Sequence, residues 1–397
     1  MVDFKKILEY DRLALKAIEK YSKRRFLFFH LQKEKGKHFI GITGPRGAGK
    51  TVLLRQIRKE YKNSLYISLD AIKEDLFEVA KKAKEDFKIN LLLLDEVHFY
   101  PEFEGTLKKI YDYLDLRIIF TSSVAFILSQ TQYDLSRRVL LKKLYPFSFR
   151  EYLFFKYNVN FPKLSLEDIL NKNFDREIFS YSEKFYDYLR GGIYPFSLEE
   201  PLVLDILRNV CSKVIYKDIP YIFDLKVKEL EIIEKMLSFI GKSETEGINY
   251  SSIARNCGIT RYKAEQYVNL LEKAFILHQV FPKGTNVLKE PKILMSLPYR
   301  LLYTEFKENL GALREDFFVE MMRMADEKIY YLKSTRGEKT PDFVVSYKGE
   351  KLVIEIGGKG KGRTQFKGFK ADRKLIFTDS DRMDGLYRPL FILGFLS

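Results

Sequence analysis

The chain has 397 residues and carries 69 lysines and arginines against 54 aspartates and glutamates, a formal net charge of +15. This length predicts about two to four domains. The charge makes a polyanionic partner, nucleic acid first, as plausible as a lysine-rich surface that only aids solubility. No segment approaches the roughly 18 uninterrupted apolar residues of a membrane-spanning helix, and the charged amino terminus does not resemble a signal peptide. We therefore expect a cytoplasmic protein without a membrane partner, with its two cysteines reduced.

The first segments of the chain predict a helix followed by a strand. Within residues 1–30, apolar side chains recur at helical spacing among charged ones, which is the pattern of an amphipathic helix. A polar turn over residues 33–37 then leads to the first predicted strand, residues 38–43.

The segment that follows this strand has the spacing of a phosphate-binding loop. It matches the pattern G-x-x-x-x-G-K-[ST] between a strand and a helix and reads Gly44-Pro45-Arg46-Gly47-Ala48-Gly49-Lys50-Thr51. Its three glycines can take backbone angles that turn successive N–H groups toward a triphosphate. Lys50 would neutralise the β and γ phosphates, and Thr51 would offer its hydroxyl to Mg²⁺. We therefore expect all eight residues to bind a nucleoside triphosphate.

Two further strands are predicted at residues 64–69 and 89–94, and the second of them ends in a pair of acids. Its continuous apolar run is typical of a strand buried on both faces of a parallel sheet. Because the carboxyl ends of parallel strands face the bound phosphates, we expect Asp95 to hold the Mg²⁺ water shell and Glu96 to polarise the attacking water. A glutamate base favours hydrolysis over transfer to a small metabolite. The guanine-reading pattern Asn-Lys-x-Asp does not occur, so we expect the nucleotide to be ATP.

A fourth predicted strand, residues 116–120, ends in Thr121-Ser122-Ser123. At the same edge of a parallel sheet, the hydroxyl of Thr121 would reach the γ-phosphate or the attacking water. Farther along, Arg137-Arg138 precedes an apolar run, and the chain then reads Pro146-Phe147-Ser148-Phe149-Arg150-Glu151.

Together with Gly44-Pro45-Arg46, these motifs make the chain resemble, over nearly its full length, the archaeal and bacterial AAA-type ATPases whose C-terminal region ends in a restriction-endonuclease-like fold. The resemblance implies an α/β fold, with a parallel P-loop NTPase sheet in strand order 5-1-4-3-2. Arg138 matches the arginine of the family's Gly-Arg pair, while Ser122 replaces a glycine of the family. The match implies that Arg138 is an arginine sensor or finger, acting in its own subunit or on a neighbour in a homo-oligomer. The alternative is a surface arginine.

The resemblance and the sequence patterns divide the chain into five regions. They are an N-terminal helix (1–30), a P-loop AAA-type ATPase domain (31–150), a helical lid (151–240), a winged helix (241–282) and a small α/β restriction-endonuclease-like domain (283–397). We expect the lid to couple the state of the nucleotide to the regions that follow it.

The winged-helix region shows a helix-turn-helix pattern. One helix is predicted at residues 250–256 and a second at residues 261–274, with Thr260 as the N-cap of the second helix. A wing strand is predicted at residues 275–281. A winged helix inserts its second helix into the major groove, where Arg261 and Lys263 would reach DNA. Docking of a protein partner is equally compatible with the pattern.

Three carboxylates stand out in the last region: Glu315 on a predicted helix, Asp342 at the start of a strand and Glu355 within an apolar strand. They resemble the PD-(D/E)xK arrangement of nucleases, in which the acids hold Mg²⁺ near the scissile phosphate and a lysine two residues after the Glu orients the water. Here that position is Gly357, with Lys359 and Lys361 close by as candidates for a migrated lysine. The sequence leaves open a second Mg²⁺ site at these acids and a degenerate fold that only binds phosphate backbone.

The stretch from Lys359 to Lys374 holds seven lysines and arginines against one acid and intersperses them with aromatic residues, which favours a nucleic-acid surface. The sequence as a whole predicts a Mg²⁺-dependent ATPase that couples hydrolysis to movement of its winged-helix and nuclease-like modules on DNA. The alternatives are a slow ATP-dependent switch that docks proteins and an ATP-gated nuclease.

Overall fold

The computed structural model describes residues 3–72, 74–123, 137–284, 290–332, 340–362, 364–366 and 369–397. The chain divides into two compact units, Met1–Pro146 and Phe147–Ser397. The regions expected at 151–240, 241–282 and 283–397 thus lie together in the second unit. None of the described helices combines the length and the apolar character needed to cross a membrane.

Helices and strands alternate through the described part of the first unit. The helices are α1 (Phe4–Ala17), α2 (Phe26–Lys33), α3 (Lys50–Glu60), α4 (Leu76–Glu85) and α5 (Phe103–Tyr113), with a 3₁₀ turn at Val97–Phe99. The strands are β1 (Phe39–Thr43), β2 (Ser64–Ser68), β3 (Leu91–Asp95), β4 (Arg117–Ser122) and β5 (Val139–Lys143).

The strands of the first unit form one sheet in the order β2-β3-β4-β1-β5, and every neighbouring pair is parallel. This confirms the strand order implied by the resemblance. In this register Thr43 pairs with Ser122 on one side and with Lys143 on the other. The carboxyl ends of all five strands therefore meet at one edge of the sheet, which is the edge where the predicted nucleotide residues follow.

The sheet separates two apolar cores, and this explains the unbroken apolar run of β3. Leu92 and Leu94 pack in the core that includes residues of α4 and α5, whereas Leu91 and Leu93 pack in the core that includes residues of α3. Because successive side chains of a strand point to opposite faces, both faces of β3 must be apolar.

The amino-terminal segment forms two helices where the sequence predicted one. Between them, the side-chain amide of Gln56 donates to the carbonyls of Tyr21 at 3.1 Å and Lys23 at 2.8 Å, which satisfies backbone groups that are outside a helix. Asp11 of α1 accepts two hydrogen bonds from Arg58 at 2.8 Å and one from the backbone N–H of Tyr66 at 2.9 Å. These contacts fasten α1 to α3 and β2.

The described part of the second unit is rich in helices and ends in a sheet. The helices are α6 (Phe149–Tyr157), α7 (Leu166–Asn171), α8 (Lys184–Asp187), α9 (Val203–Lys213), α10 (Ile219–Ile222), α11 (Val227–Lys242), α12 (Tyr250–Cys257), α13 (Arg261–Lys273) and α14 (Leu310–Met324). Shorter 3₁₀ and π-helical segments occur at Arg176–Tyr181, Tyr188–Gly192, Pro195–Leu198, Val214–Asp218, Tyr299–Leu302, Thr364–Phe366 and Leu390–Phe395. The strands are β6 (Leu277–Val280), β7 (Lys292–Met295), β8 (Ile329–Tyr331), β9 (Phe343–Tyr347), β10 (Glu350–Gly357), β11 (Arg373–Thr378) and β12 (Tyr387–Pro389).

Helices α12 and α13 meet at the predicted turn. Gly258 ends α12 with a left-handed φ of 67°, which glycine adopts readily. The Thr260 hydroxyl accepts a hydrogen bond from Lys263 N at 3.2 Å, as expected for the N-cap of α13. The strand that follows, β6, pairs antiparallel with β7.

The C-terminal sheet has the strand order β12-β11-β10-β9-β8. Strand β10 runs parallel to β11 and antiparallel to β9, with Phe343 opposite Ile354. Helix α14 packs on this sheet through Phe318, whose ring lies 4.9 Å from the ring of Phe343. This packing brings α14 close to the start of β9 and to β10, where the three predicted carboxylates are found.

Candidate functional site

Two of the three glycines in the phosphate-binding loop have the left-handed backbone expected for them. Gly47 has a φ of 82° and Gly49 a φ of 91°, a region that residues with a side chain rarely adopt. Gly44 differs from the prediction because its φ lies outside that region. A Cβ on Gly44 would lie 2.0 Å from the carbonyl oxygen of Leu144, so glycine is needed there for close backbone approach.

Lys50 begins α3 and folds back over its own loop. Its Nζ donates to the carbonyl oxygens of Gly44 at 2.8 Å and Pro45 at 2.9 Å, and the side chain is buried. Thr51 is the next residue of the same helix. The positive end of α3, the loop N–H groups and the Lys50 ammonium together suit an anion of several charges.

Asp95 ends β3 and is buried between two hydroxyl groups. Its Oδ2 accepts a hydrogen bond from the Tyr66 hydroxyl at 2.8 Å, and its Oδ1 accepts one from the Thr121 hydroxyl. Burial, reinforced by the negative charge of Asp95, raises the pKa of Tyr66 above its ordinary value, so the phenol stays protonated and remains a donor. Sequence reasoning missed Tyr66, although a tyrosine one strand away from the Asp-Glu pair was a visible signal.

Glu96 follows Asp95 and has a left-handed backbone, with a φ of 55°. It contacts both the phosphate-binding loop and the end of β4. Its backbone N–H donates to the Thr121 hydroxyl at 3.2 Å, and its Oε2 accepts from Ser123 Oγ at 2.8 Å. Its Oε1 lies 3.4 Å from the guanidinium of Arg46, and its Oε2 lies 3.3 Å from His98 Nδ1. The carboxylate is therefore held by a P-loop residue and by β4 at once.

Arg25 is a second residue that sequence reasoning missed. It precedes α2, is buried, and donates to the carbonyl oxygens of Ala48 at 2.6 Å, Tyr145 at 2.8 Å and Pro146 at 3.3 Å. It thereby joins the back of the phosphate-binding loop to the segment after β5. Arg25 lies within the single helix predicted over residues 1–30, so no sequence pattern indicated this role.

Arg138 lies at the opposite edge of the sheet from the phosphate-binding loop. Its carbonyl accepts a hydrogen bond from Phe39 N at 2.7 Å, at the amino end of β1. The loop begins after Thr43, at the other end of β1 and about 13 Å away by the rise of a parallel strand. The guanidinium of Arg138 pairs with Asp112 at 2.9 Å and lies 5.5 Å from the Tyr111 ring. Within one chain, the structure does not bring Arg138 to the other predicted nucleotide residues.

The second unit contains a cavity of about 750 Å³ that includes all three predicted carboxylates. Glu315 comes from α14, Asp342 immediately precedes β9, and Glu355 lies in β10. Asp342 lies near Glu355 because β9 and β10 pair antiparallel, with Phe343 opposite Ile354. The acidic and basic residues that line the cavity are Glu244, Glu246, Glu308, Glu315, Asp342, Glu355, Lys292 and Lys361.

The three carboxylates share the cavity without forming a ready-made three-carboxylate metal site. Among the described residues, no group of three or more histidine, cysteine, aspartate or glutamate side chains is arranged to hold a metal ion. The reason lies in their partners, since Glu315 is bound by Thr245 and Lys292. Asp342 Oδ2 accepts from Ile356 N at 2.7 Å.

Acidic side chains outnumber basic ones in the cavity lining, and the pKa values of two carboxylates are raised. Burial, together with the neighbouring Glu315 and Glu355, raises the pKa of Asp342 to about 7. Burial also raises the pKa of Glu355, although Lys361 opposes the shift from 2.6 Å away. Ionised acids are disfavoured when buried beside one another, so an added cation would stabilise this group.

The Lys361 side chain passes close to Gly357, the position at which PD-(D/E)xK nucleases carry a lysine. A Cβ placed on Gly357 would meet the Lys361 side chain, at 2.6 Å from Cδ and 2.7 Å from Cγ. The side chain of Lys361 therefore crosses the space above residue 357 and ends at Glu355.

The basic side chains predicted to contact nucleic acid are only partly exposed, and several of them are paired with other groups. Arg261 pairs with Glu290, and Lys263 Nζ lies 3.4 Å from Glu229 Oε1, although both basic side chains are about half exposed. In the basic stretch, Arg363 and Lys367 lie outside the described residues. Of the others, Lys359 and Lys370 are exposed, Arg373 pairs with Glu350 at 2.9 Å, and Lys374 Nζ donates to Phe366 O at 3.3 Å. The described part of this stretch is therefore a mixture of exposed and paired cations.

Comparison with known proteins identifies the first unit as an AAA-type P-loop domain. A family model described as an AAA domain, AAA_14, matches residues 36–153, and a model for a domain of unknown function, DUF8612, matches residues 182–296. The chain is 31% identical to "Uncharacterized protein MJ1637" of Methanocaldococcus jannaschii, over 97% of the chain and 88% of that protein. It belongs to the same family as that protein. The AAA domain supports an ATP hydrolase that uses ATP with Mg²⁺.

Two solved structures were also similar over much of their length. One is the Aeropyrum pernix ORC1 protein in complex with DNA, with 13% identity, a TM-score of 0.30, and coverage of 78% of this chain and 93% of that chain. The other is the Thermotoga maritima RuvB Holliday junction branch migration motor, with 16% identity, a TM-score of 0.27, and coverage of 70% and 90%.

Proposed function

We propose that the protein is a Mg²⁺-dependent ATPase whose hydrolysis cycle moves a winged helix, formed by α12, α13, β6 and β7, and the nuclease-like C-terminal region on DNA. The observation that carries this proposal is the meeting of Lys50, Asp95, Glu96 and Thr121 at one edge of the parallel sheet. A triphosphate at that edge would touch the loop, while its terminal phosphate would face the two acids.

The residues at this edge fit ATP with Mg²⁺. The loop glycines carry no side chain that would block a triphosphate, and hydroxyl and carboxylate oxygens are the ligands that Mg²⁺ prefers. Thr51 and Asp95 would hold the ion, which neutralises charge on the β and γ phosphates. Lys50 would exchange the carbonyls of Gly44 and Pro45 for phosphate oxygens, because hydrogen bonds between charged partners are the stronger ones.

Glu96 would serve as the base that orients the attacking water. It is held by Arg46 and Ser123, and His98 Nδ1 lies 3.3 Å from its Oε2. A γ-phosphate offers the Arg46 guanidinium a competing anion, so binding of ATP would weaken the hold of Arg46 on Glu96. Thr121 lies in β4 and contacts both Asp95 and Glu96. A change at these acids on phosphate binding would therefore be transmitted to β4 through Thr121.

Nucleic acid is the proposed partner of the second unit. The formal charge of +15 favours a polyanion, and the half-exposed Arg261 and Lys263 at the start of α13 are suited to phosphate or base contacts. Both cations would exchange their carboxylate partners for the nucleic acid. A protein partner docked at the same helices is the alternative, and it predicts no response to DNA.

The test is ATP hydrolysis by wild type and Glu96→Gln, with and without duplex DNA, across a series of salt concentrations. We expect turnover that rises with DNA, falls steeply with salt, and drops by about 100-fold or more in Glu96→Gln. Glu102→Gln, which changes an exposed glutamate shortly after Glu96, is the matched control and should behave as wild type. Absence of Mg²⁺-dependent turnover under every condition would end the proposal, while turnover indifferent to DNA would favour the protein-docking switch.

A further inference from the structure

Both carboxylate oxygens of Asp95 accept a hydrogen bond from a hydroxyl group of a neighbouring strand. Tyr66 of β2 donates to Oδ2 at 2.8 Å, and Thr121 of β4 donates to Oδ1. Asp95 is only 2% exposed. Neither donor is a cation, so neither neutralises the charge of the carboxylate. Because a carboxylate offers about four lone-pair sites, about two of them remain for the water shell of a metal ion.

The register of the sheet explains how a tyrosine at position 66 reaches this carboxylate. Tyr66 lies opposite Leu93, whereas Asp95 lies opposite Ser68, two residues farther along β2. Two residues of a parallel strand span about 6.6 Å, and the aromatic ring carries the hydroxyl over this distance toward the carboxyl edge of the sheet. Burial, together with the charge of Asp95, raises the pKa of Tyr66, so the hydroxyl keeps its proton for the carboxylate.

Arg55 of α3 orients the Tyr66 hydroxyl. Its Nη2 lies 3.4 Å from the hydroxyl oxygen, and its Cζ lies 5.0 Å from the centre of the Tyr66 ring. A guanidinium can only donate hydrogen bonds, so the hydroxyl oxygen accepts from Arg55 and its own proton is directed to Asp95. The direction of the first hydrogen bond therefore fixes the direction of the second.

Helix α3 also carries a residue that is proposed to bind the metal ion. Thr51 and Arg55 are four residues apart in this helix, so their side chains lie on the same face. Thr51 and Asp95 are the proposed Mg²⁺ ligands, and the contact between Arg55 and Tyr66 joins the helix of the first to the strand of the second. These contacts therefore set the position of one ligand relative to the other.

We propose that Tyr66, oriented by Arg55, is a positioning residue that fixes Asp95 for the Mg²⁺ of bound ATP. The role of Tyr66 rests on the proposed function, since it takes ATP with Mg²⁺ as the ligand, but it does not depend on turnover or on DNA. Removing a group that hydrogen-bonds to a metal ligand typically lowers metal affinity or activity by about 10–100-fold. The Tyr66 hydroxyl therefore sets how much Mg²⁺ strengthens the binding of ATP.

The first experiment measures the binding of a fluorescent, non-hydrolysable ATP analogue to the full chain in Mg²⁺ and in EDTA. The ratio of the two affinities is the Mg²⁺ gain. Tyr66→Phe keeps the buried ring and removes only the hydroxyl, so we expect an unchanged affinity in EDTA and a Mg²⁺ gain that is lower by about 10-fold. Tyr113→Phe, which changes a tyrosine that is 77% exposed, is the matched control and should keep the Mg²⁺ gain of wild type. An unchanged Mg²⁺ gain in Tyr66→Phe overturns the role of Tyr66.

This measurement separates a positioning role from a structural one and from the proposed function. A purely structural role of Tyr66 predicts a lower melting temperature with an unchanged Mg²⁺ gain in the folded variant, so thermal unfolding of each variant is measured as well. Wild type that binds the analogue without hydrolysing ATP would end the proposed ATPase, while the Mg²⁺ gain would still decide the role of Tyr66. Wild type that does not bind the analogue, or that binds it equally with and without Mg²⁺, would end both.

The second experiment tests the step from Arg55 to Tyr66. Arg55→Met removes the donor to the Tyr66 hydroxyl and should lower the Mg²⁺ gain by about threefold, whereas Lys59→Met, at the exposed end of the same helix, should not. Adding Arg55→Met to Tyr66→Phe should lower the Mg²⁺ gain no further, because Arg55 acts through a hydroxyl that is no longer present. Direct repulsion between the guanidinium and Mg²⁺ predicts a higher gain in Arg55→Met. Such a rise, an unchanged gain, or additive losses in the double variant would overturn this step.

Discussion

The two sites of the protein hold their lysines in opposite ways. In the first unit, Lys50 Nζ lies 2.8 and 2.9 Å from neutral carbonyl oxygens of its own loop. In the second unit, Lys361 Nζ lies 2.6 Å from a carboxylate oxygen of Glu355. An arriving phosphate can displace neutral acceptors readily, whereas an arriving cation must share a carboxylate with a lysine that is already bound. Lys50 can therefore exchange its partners for an anion, whereas Lys361 already has one in Glu355.

The largest effect in this comparison is expected for Lys50→Ala, which tests whether the phosphate-binding loop needs its lysine. We expect Mg²⁺-dependent ATP hydrolysis to fall by at least about 100-fold, because the loop loses the ammonium proposed to neutralise the β and γ phosphates. The measurement is phosphate release at saturating ATP. Lys59→Ala, at the exposed end of the same helix, should retain activity. Equal loss in both variants would mean that general charge, and not the position of Lys50, supports turnover.

A second test concerns the loop backbone and uses two glycines of the first unit. Gly44→Ala should destabilise the protein by about 1–3 kcal/mol, because the added Cβ would lie 2.0 Å from the carbonyl oxygen of Leu144. Gly105→Ala, inside α5 with no atom within 4 Å of the added Cβ, should stabilise it by about 0.5–1 kcal/mol. Thermal unfolding measures both. A stable Gly44→Ala variant would contradict the close backbone approach.

The sequence predicted that the candidate nucleotide residues lie at one edge of the sheet because each motif is contiguous in the chain. The loop residues 44–51 and the pair Asp95-Glu96 each follow an apolar strand, and parallel strands bring their carboxyl ends to one edge whatever the rest of the chain does. The contacts of Arg25 and Tyr66 were not predictable in this way, because they join residues that are 23 and 29 positions apart. No local pattern encodes such pairings.

The second site shows the complementary limit of sequence reasoning. The carboxylates Glu315, Asp342 and Glu355 were recognisable by type, but their common cavity depends on the packing of α14 and the register of β9 with β10. That register follows from the sheet and not from a motif. The lack of a lysine at position 357 is visible in the sequence, whereas the path of the Lys361 side chain over Gly357 depends on the folded chain.

Lys292→Met tests the carboxylate side of the comparison. Loss of this ammonium leaves the largely buried Glu315 without the cation that it pairs with, so we expect the free energy of unfolding to fall by about 1–3 kcal/mol. Thermal unfolding of the full chain measures the effect, and Lys328→Met, which changes an exposed lysine of the same unit, is the matched control. Unchanged stability in Lys292→Met would contradict a structural role for this ion pair.

The smallest expected effect is that of Arg138→Ala. Arg138 lies at the amino edge of the sheet, paired with the partly exposed Asp112, and ion pairs of this kind contribute about 0.2–1 kcal/mol. Turnover per chain in dilute protein should therefore stay within about twofold of wild type. A loss that appears only as protein concentration rises would show that Arg138 acts on a neighbouring subunit. A large loss at every concentration would contradict the separation between this edge and the loop, because the backbone of Arg138 lies beside the start of β1, about 13 Å from the end of the strand where the loop begins.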